Sequence, residues 1–265
     1  MKTASARLAL VFVLAVIGLC STVTAWAEVK TKEITYRDGN VTLKGLMAWD
    51  EAKNGKRPGI LIVDEWWGLT AYGKNLARQL AAAGYVAFAA DMYGDGKTTN
   101  DPKQAKEWMQ EVIGDTALWN RRAQLGLDIL KSDANVDSGK LAAVGSSFGG
   151  ATAMQMAYAG HDVKAVVSIA SALFPVPDSV TAIKPRVLVL HGSDDSNVPA
   201  ERIEAFKAGL DRARANWEMI IYSGARHSFA NPDANSHGLA NLAYNEMAAK
   251  RSWTAMTTLF DEVFQ

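Results

Sequence analysis

The 265-residue chain has one cysteine, seven prolines, and no excess of either charge, 28 Lys plus Arg standing against 28 Asp plus Glu. A single cysteine excludes a disulfide-held scaffold. Balanced charge excludes the basic surplus with which a protein tracks a nucleic-acid backbone. The apolar run from Leu8 to Cys20 is shorter than the roughly 20 residues a spanning helix needs, which makes an uncleaved membrane anchor the weaker reading of this segment. What the chain does have is 49% hydrophobic residues, too many for disorder and enough for one large core. No repeat, low-complexity tract or linker marks a second domain.

Residues 1–27 read as a cleaved export signal. Lys2 and Arg7 precede the apolar run, and Ala25-Trp26-Ala27 puts small residues where a signal peptidase reads. Leu19 before Cys20 does not suit a lipid-modified cysteine, which normally follows a small residue. Cleavage would leave a single domain at 28–265, periplasmic or secreted, with no cysteine at all. Such a protein rests on core packing and has no thiol nucleophile.

Strands and helices then alternate. Ile34 to Tyr36 and Val41 to Met47 form a hairpin about Asp38-Gly39-Asn40. Apolar runs at Gly59 to Val63, Tyr85 to Ala90, Leu141 to Val144, Val163 to Ile169, Arg186 to Leu190 and Trp217 to Tyr222 suit strands buried on both faces. Helical spacing falls between them, from Thr70 to Gly84, Asp115 to Lys131, Ala151 to Ala159, Ala200 to Ala213 and about Tyr244 to Phe264, while Tyr93 to Asp101 is a polar loop. The pattern predicts an α/β fold, a doubly wound, mostly parallel sheet with helices on both faces, whose ligands sit at the carboxyl ends of the strands.

Gly145-x-Ser147-x-Gly149 lies between a strand and a helix. A nucleophile raised on that corner needs residues without bulk two positions to either side, which glycine supplies. The competing reading is a Gly-rich turn that packs a helix closely or cradles a phosphate, but the Lys of a phosphate loop and dinucleotide glycine spacing are both lacking. A serine hydroxyl needs a base, and the base an acceptor, and in this fold they follow in the order Ser, Asp or Glu, His. Asp195 and His227 each follow a strand, with Asp194 the rival acid. His161, His191 and His237 are expected to be packing or surface histidines. A metal site from His191, Asp194 and His227 lacks ligand spacing, so no metal or cofactor is expected. After the strand from Gly59 comes Asp64-Glu65-Trp66-Trp67-Gly68, where a backbone N–H paired with that of Phe148 would hold an oxyanion.

Gly145-x-Ser147-x-Gly149-Gly150, Gly192-x-x-Asp195-x-x-Val198-Pro199, His227-Ser228-Phe229 and Glu65-Trp66-Trp67-Gly68 together resemble the dienelactone hydrolase family of α/β-hydrolases, and Asp91-Met92-Tyr93 agrees with it. The resemblance spans nearly all of the chain after residue 27. It implies an α/β-hydrolase fold, a triad of Ser147, Asp195 and His227, an oxyanion hole of the Trp66 and Phe148 amides, and Glu65 as the family's extra carboxylate. The founding enzymes carry Cys at the position of Ser147 and Arg residues that clamp a substrate carboxylate. Here those neighbourhoods read Gly94-Asp95-Gly96-Lys97 and Ala230-Asn231-Pro232, which points away from dienelactone itself.

The expected activity is therefore cleavage of a small carboxylic ester or lactone through an acyl-enzyme. Glu65, Trp67, Tyr93, Phe174 and Asn231 are expected to surround the small-molecule substrate. Acyl transfer, perhydrolysis or amide cleavage on the same triad, and a catalytically silent ligand-binding module, are the alternatives. No nucleic-acid partner is expected, nor a membrane partner once the signal is removed.

Overall fold

A computed structural model describes residues 28–265. The export-signal expectation falls on residues 1–27, outside the described residues. The chain runs β1 (Val29–Asp38), β2 (Val41–Asp50), β3 (Arg57–Val63), α1 (Ala71–Ala82), β4 (Val86–Ala90), α2 (Pro102–Gly114), α3 (Thr116–Ser132), β5 (Val136–Ser146), α4 (Phe148–Tyr158), β6 (Ala165–Ile169), β7 (Arg186–Gly192), α5 (Ala200–Arg212), β8 (Trp217–Tyr222) and α6 (Glu246–Val263). Its eight strands form one sheet in the order β1-β2-β4-β3-β5-β6-β7-β8. Strands β3 to β8 pair in parallel, while β2 runs antiparallel to both β1 and β4.

Alternation along the central strands sends residues to two cores. Ile60, Ile62, Val144 and Leu188 meet Leu76, Leu80 and Phe260 of α1 and α6 on one face. Leu61, Val63, Val166 and Val189 meet Leu127, Met154 and Phe206 of α3, α4 and α5 on the other. Leu61 and Leu127 are fully buried, and truncating either to Ala removes contacts worth about 2–5 kcal/mol.

Three elements depart from the sequence expectation. Helix α2 occupies what periodicity left unassigned, capped by Asp101, whose carboxylate accepts from Lys103 N, and opened by Pro102. Strand β5 begins at Val136 because Arg57 and Pro58 pair with Val136 and Asp137 before the register jumps to Gly59–Leu141; Pro58 has no N–H to continue the ladder. Helix α4 starts at Phe148, three residues earlier than its apolar stripe, and so points its amino end at the preceding serine. The carboxyl ends of β3, β5, β7 and β8 lead into Asp64-Trp67, Ser147, Asp195 and His227, so four separated segments share one edge of the sheet.

Candidate active site

Ser147 sits between β5 and α4 at φ 54°, ψ −114°, a backbone state that non-glycine residues rarely hold. The surrounding glycines make it possible. A Cβ at Gly145 would lie 2.2 Å from the Gly149 carbonyl carbon, and one at Gly149 would lie 1.9 Å from the Val63 carbonyl oxygen. Strand β5 and helix α4 therefore close on each other and on β3 only because both positions are bare. The Ser147 N–H donates to Ile169 O at 2.9 Å, which ties the turn to β6.

The Ser147 hydroxyl lies 2.8 Å from His227 Nε2, and His227 Nδ1 lies 2.7 Å from Asp195 Oδ2. Both partners are buried, and the second oxygen of Asp195 accepts from Asn197 N at 3.0 Å. An acceptor fixed at Nδ1 places the ring proton there and leaves Nε2 free to take the serine proton. Asp194, the rival acid, is exposed and accepts only from Ser193 Oγ. The strained backbone at Ser228, φ 57°, follows His227 directly.

On the far side of the serine, the amides of Trp66 and Phe148 donate to no group among the described residues. Phe148 N opens helix α4, whose positive end adds to its pull on a developing negative charge. Tyr93 lies behind this pair, its hydroxyl donating to Trp66 O at 3.1 Å and its ring stacked on Phe148 at 5.6 Å. Burial pushes the Tyr93 hydroxyl far above its ordinary range, so it stays a neutral donor. Tyr93 thus supports the turn, and it also lines a cavity with Lys97, Trp108 and Arg122.

Glu65 is also buried. Its Oε1 accepts from Ser146 Oγ at 3.1 Å and its Oε2 from Asn231 Nδ2 at 2.9 Å. Ser146, beside the nucleophile position and without an expected role, is the hydroxyl that engages this acid. Asn231, expected in the pocket, is itself buried and braces Glu65 from the loop after His227. Asp64 faces the other way, accepting from Glu65 N, Thr70 N, Thr70 Oγ1 and Gly73 N, which fixes the β3–α1 turn. Burial and the adjacent Glu65 carboxylate push Asp64 up to about 6 against those four hydrogen bonds.

The expectation for Trp67 is corrected. It is 1% exposed and stacks on His237 at 4.0 Å with an interplanar angle of 4°, within a small cluster of Ala105, Ala234 and Leu242. It anchors the 231–245 segment from inside. Phe174 alone of the expected pocket residues is substantially exposed, at 39%, and borders a cavity beside α4. His191 is buried and burial lowers its basicity, while among the described residues no group of acids, histidines and cysteines has the form of a metal site.

A sequence model of the dienelactone hydrolase family matches residues 43–264. The chain is 28% identical over 246 residues to a Yersinia pestis protein named as a carboxymethylenebutenolidase, covering 87% of each. Among solved structures it is similar to one named m3DLH, at 42% identity and TM-score 0.86, with 89% of this chain and 99% of that one covered. A dienelactone hydrolase-like promiscuous phosphotriesterase from metagenomic libraries is 39% identical at TM-score 0.86, with 89% and 98% covered.

Proposed function

Since the chain belongs to the dienelactone hydrolase family and is a carboxylic ester or lactone hydrolase, we propose that Ser147 is its nucleophile and that it works through an acyl-enzyme. The observation that carries the reading is the unbroken chain of contacts from Ser147 Oγ to His227 and from His227 to Asp195, at 2.8 and 2.7 Å.

Ser147 Oγ attacks the carbonyl carbon while its proton passes to His227 Nε2. Asp195, bound to Nδ1, holds the imidazole in place and stabilises the imidazolium. The carbonyl oxygen gains charge and is held by the N–H groups of Trp66 and Phe148. Collapse breaks the bond to the alkoxy oxygen, which takes the proton back from His227. Water then repeats the sequence on the acyl-serine and releases the acid. Helix α4 and the turn below Ser147 are in position before substrate arrives, so little reorganisation accompanies the charge movement.

The substrate is a small molecule. The segments Gly94-Asp95-Gly96-Lys97 and Ala230-Asn231-Pro232 lack the family's carboxylate-clamping Arg residues, which favours neutral esters and lactones. Its place of action is outside the cytoplasm, a reading supported by the pattern of residues 1–27 in the sequence.

Ser147→Ala tests the assignment. The variant is expected to lose at least about 10³-fold in hydrolysis of p-nitrophenyl acetate, with a nearly unchanged Tm, and to lose labelling by a fluorophosphonate. Turnover retained in that variant overturns the nucleophile assignment; wild-type protein that neither turns over esters nor takes the label identifies a silent binding module.

A further inference from the structure

Alongside α4 lies a cavity of about 230 Å³. Its walls include Trp119, Ala151, Met154, Leu173, Phe174 and Pro175, and no charged side chain lines it. Its polar neighbours are three: Ser171 accepts from Ser168 Oγ at 2.8 Å, Gln155 donates to Asn120 Oδ1 at 3.0 Å, and the Tyr158 hydroxyl is buried without a partner; the other lining residues are apolar. A cavity of this kind offers water little to bond and suits hydrocarbon; about 150 Å³ is enough for benzene.

Three of its lining residues contact the turn that carries Ser147. Ala151 is one helical turn beyond Ser147, and its N–H donates to Ser147 O at 3.1 Å. Trp119 stacks on Phe148 at 6.3 Å and 15°. Ser171 backs Gly150, where a Cβ would come within 2.8 Å of the Ser171 Cβ.

The outer wall is built with strain. The segment after β6 has neither helix nor strand, yet Ala170 and Leu173 hold φ of 45° and 48°. Positive φ at non-glycine residues is found among the described residues also at Ser147 and Ser228, beside the proposed nucleophile and His227, and at Asp95 and Arg214. Strain of that sort persists where surroundings over-determine it and gathers at ligand sites. Here Arg212 Nη2 donates to Val176 O at 2.8 Å, and Pro175 and Pro177 restrict the backbone, so the wall is held with Leu173 turned inward and Phe174 at the rim.

We propose that this cavity receives an uncharged hydrocarbon arm of the substrate, about six to eight carbons long or an aryl ring, while the ester carbonyl sits at Ser147. The proposal rests on Ser147 as nucleophile. Both the acyl and the alcohol side of an ester present the same chemistry, and the test separates them.

Two series are measured on the full chain: p-nitrophenyl esters from acetyl to octanoyl, and acetate esters from methanol to octanol. In one series kcat/KM rises about threefold per methylene until six to eight carbons and then falls, and the series that rises identifies the arm. Ala151→Leu fills the cavity, and its ratio of six-carbon to shortest-substrate kcat/KM drops at least tenfold in that series. Tyr244→Ala, on the opposite face of the sheet beside α6, leaves the ratio unchanged. Wild-type series that are both flat, or a ratio unmoved in folded Ala151→Leu, overturn the proposal. If Ala151→Leu does not fold, n-alkylboronic acids on the wild type decide: inhibition must tighten from methyl to hexyl, and a constant inhibition constant overturns it. Turnover that survives Ser147→Ala defeats the nucleophile assignment instead, so the two failures are distinct.

Discussion

Asn231 donates its side-chain N–H to Glu65 Oε2 at 2.9 Å, joining the loop that carries His227 to the loop that carries the Trp66 amide. With Ser146 bound to Oε1, both oxygens of Glu65 have hydrogen-bond partners, and Ser147 is not one of them. The acid therefore ties the two loops together, which leaves the proton to His227 in the proposed reaction. Glu65→Gln keeps one acceptor oxygen for Asn231 and turns its NH2 toward Ser146 Oγ, and the loss of the carboxylate's charge from both hydrogen bonds is expected to lower kcat/KM by about 10- to 100-fold. The pH at which activity rises stays where it is in the wild type. A loss beyond about 10³-fold together with a displaced pH profile would identify Glu65 as the base.

Asp194 and Asp195 are neighbours in sequence with opposite surroundings, one exposed and one buried against His227. Asp195→Asn is expected to lower kcat by about 10⁴-fold, because an amide does not hold the imidazole in its working tautomer. Asp194→Ala should stay within about twofold. Equal losses in the two variants would contradict the assignment of the acid.

The fold and the meeting of Ser147, His227 and Asp195 were legible because their signals are local or ordered. Apolar runs mark β3 to β8, glycines flank Ser147, and Asp195 and His227 each follow a strand. Residues whose role depends on distant partners were not. Ser146 gains its role from Glu65, 81 positions away, and Asn231 from the same acid 166 positions away. Trp67 next to Trp66 gave no sign that one would be sealed under His237 and the other left half-buried. Helix α2 was hidden because its stripe buries only Ala105 and Val112; its clearest mark is the Asp101-Pro102 start.

Gly149 and Gly39 separate steric need from backbone need. At Gly149 the φ is ordinary and space is absent, a Cβ meeting Val63 O at 1.9 Å. At Gly39 the φ is 58° in the β1–β2 turn and nothing lies within 4 Å. Gly39→Ala should cost about 1 kcal/mol of unfolding free energy, the left-handed penalty alone. Gly149→Ala must push α4 off β3, and is expected to cost more than about 3 kcal/mol and to abolish ester hydrolysis with it. Comparable Tm values for the two variants would contradict the close approach of α4 to β3.

Asp64 makes stability depend on pH in a direction opposite to that of most paired carboxylates. Its folded-state value, pushed up to about 6 by burial and by Glu65, lies above the ordinary 3.8. The folded protein therefore binds this proton more tightly than the unfolded chain. The stability linked to the group is fully present below pH 4 and is lost as pH rises through about 6. The shift corresponds to roughly 3 kcal/mol across that window. Asp64→Asn cannot titrate, and with its oxygen kept toward Thr70 and Gly73 its NH2 faces the Glu65 N–H, so it is less stable at every pH. Its deficit relative to wild type, read by urea unfolding, should be largest near pH 4 and smaller by a few kcal/mol near pH 7. A deficit that grows with pH would mean that the four hydrogen bonds outweigh burial and hold Asp64 ionised.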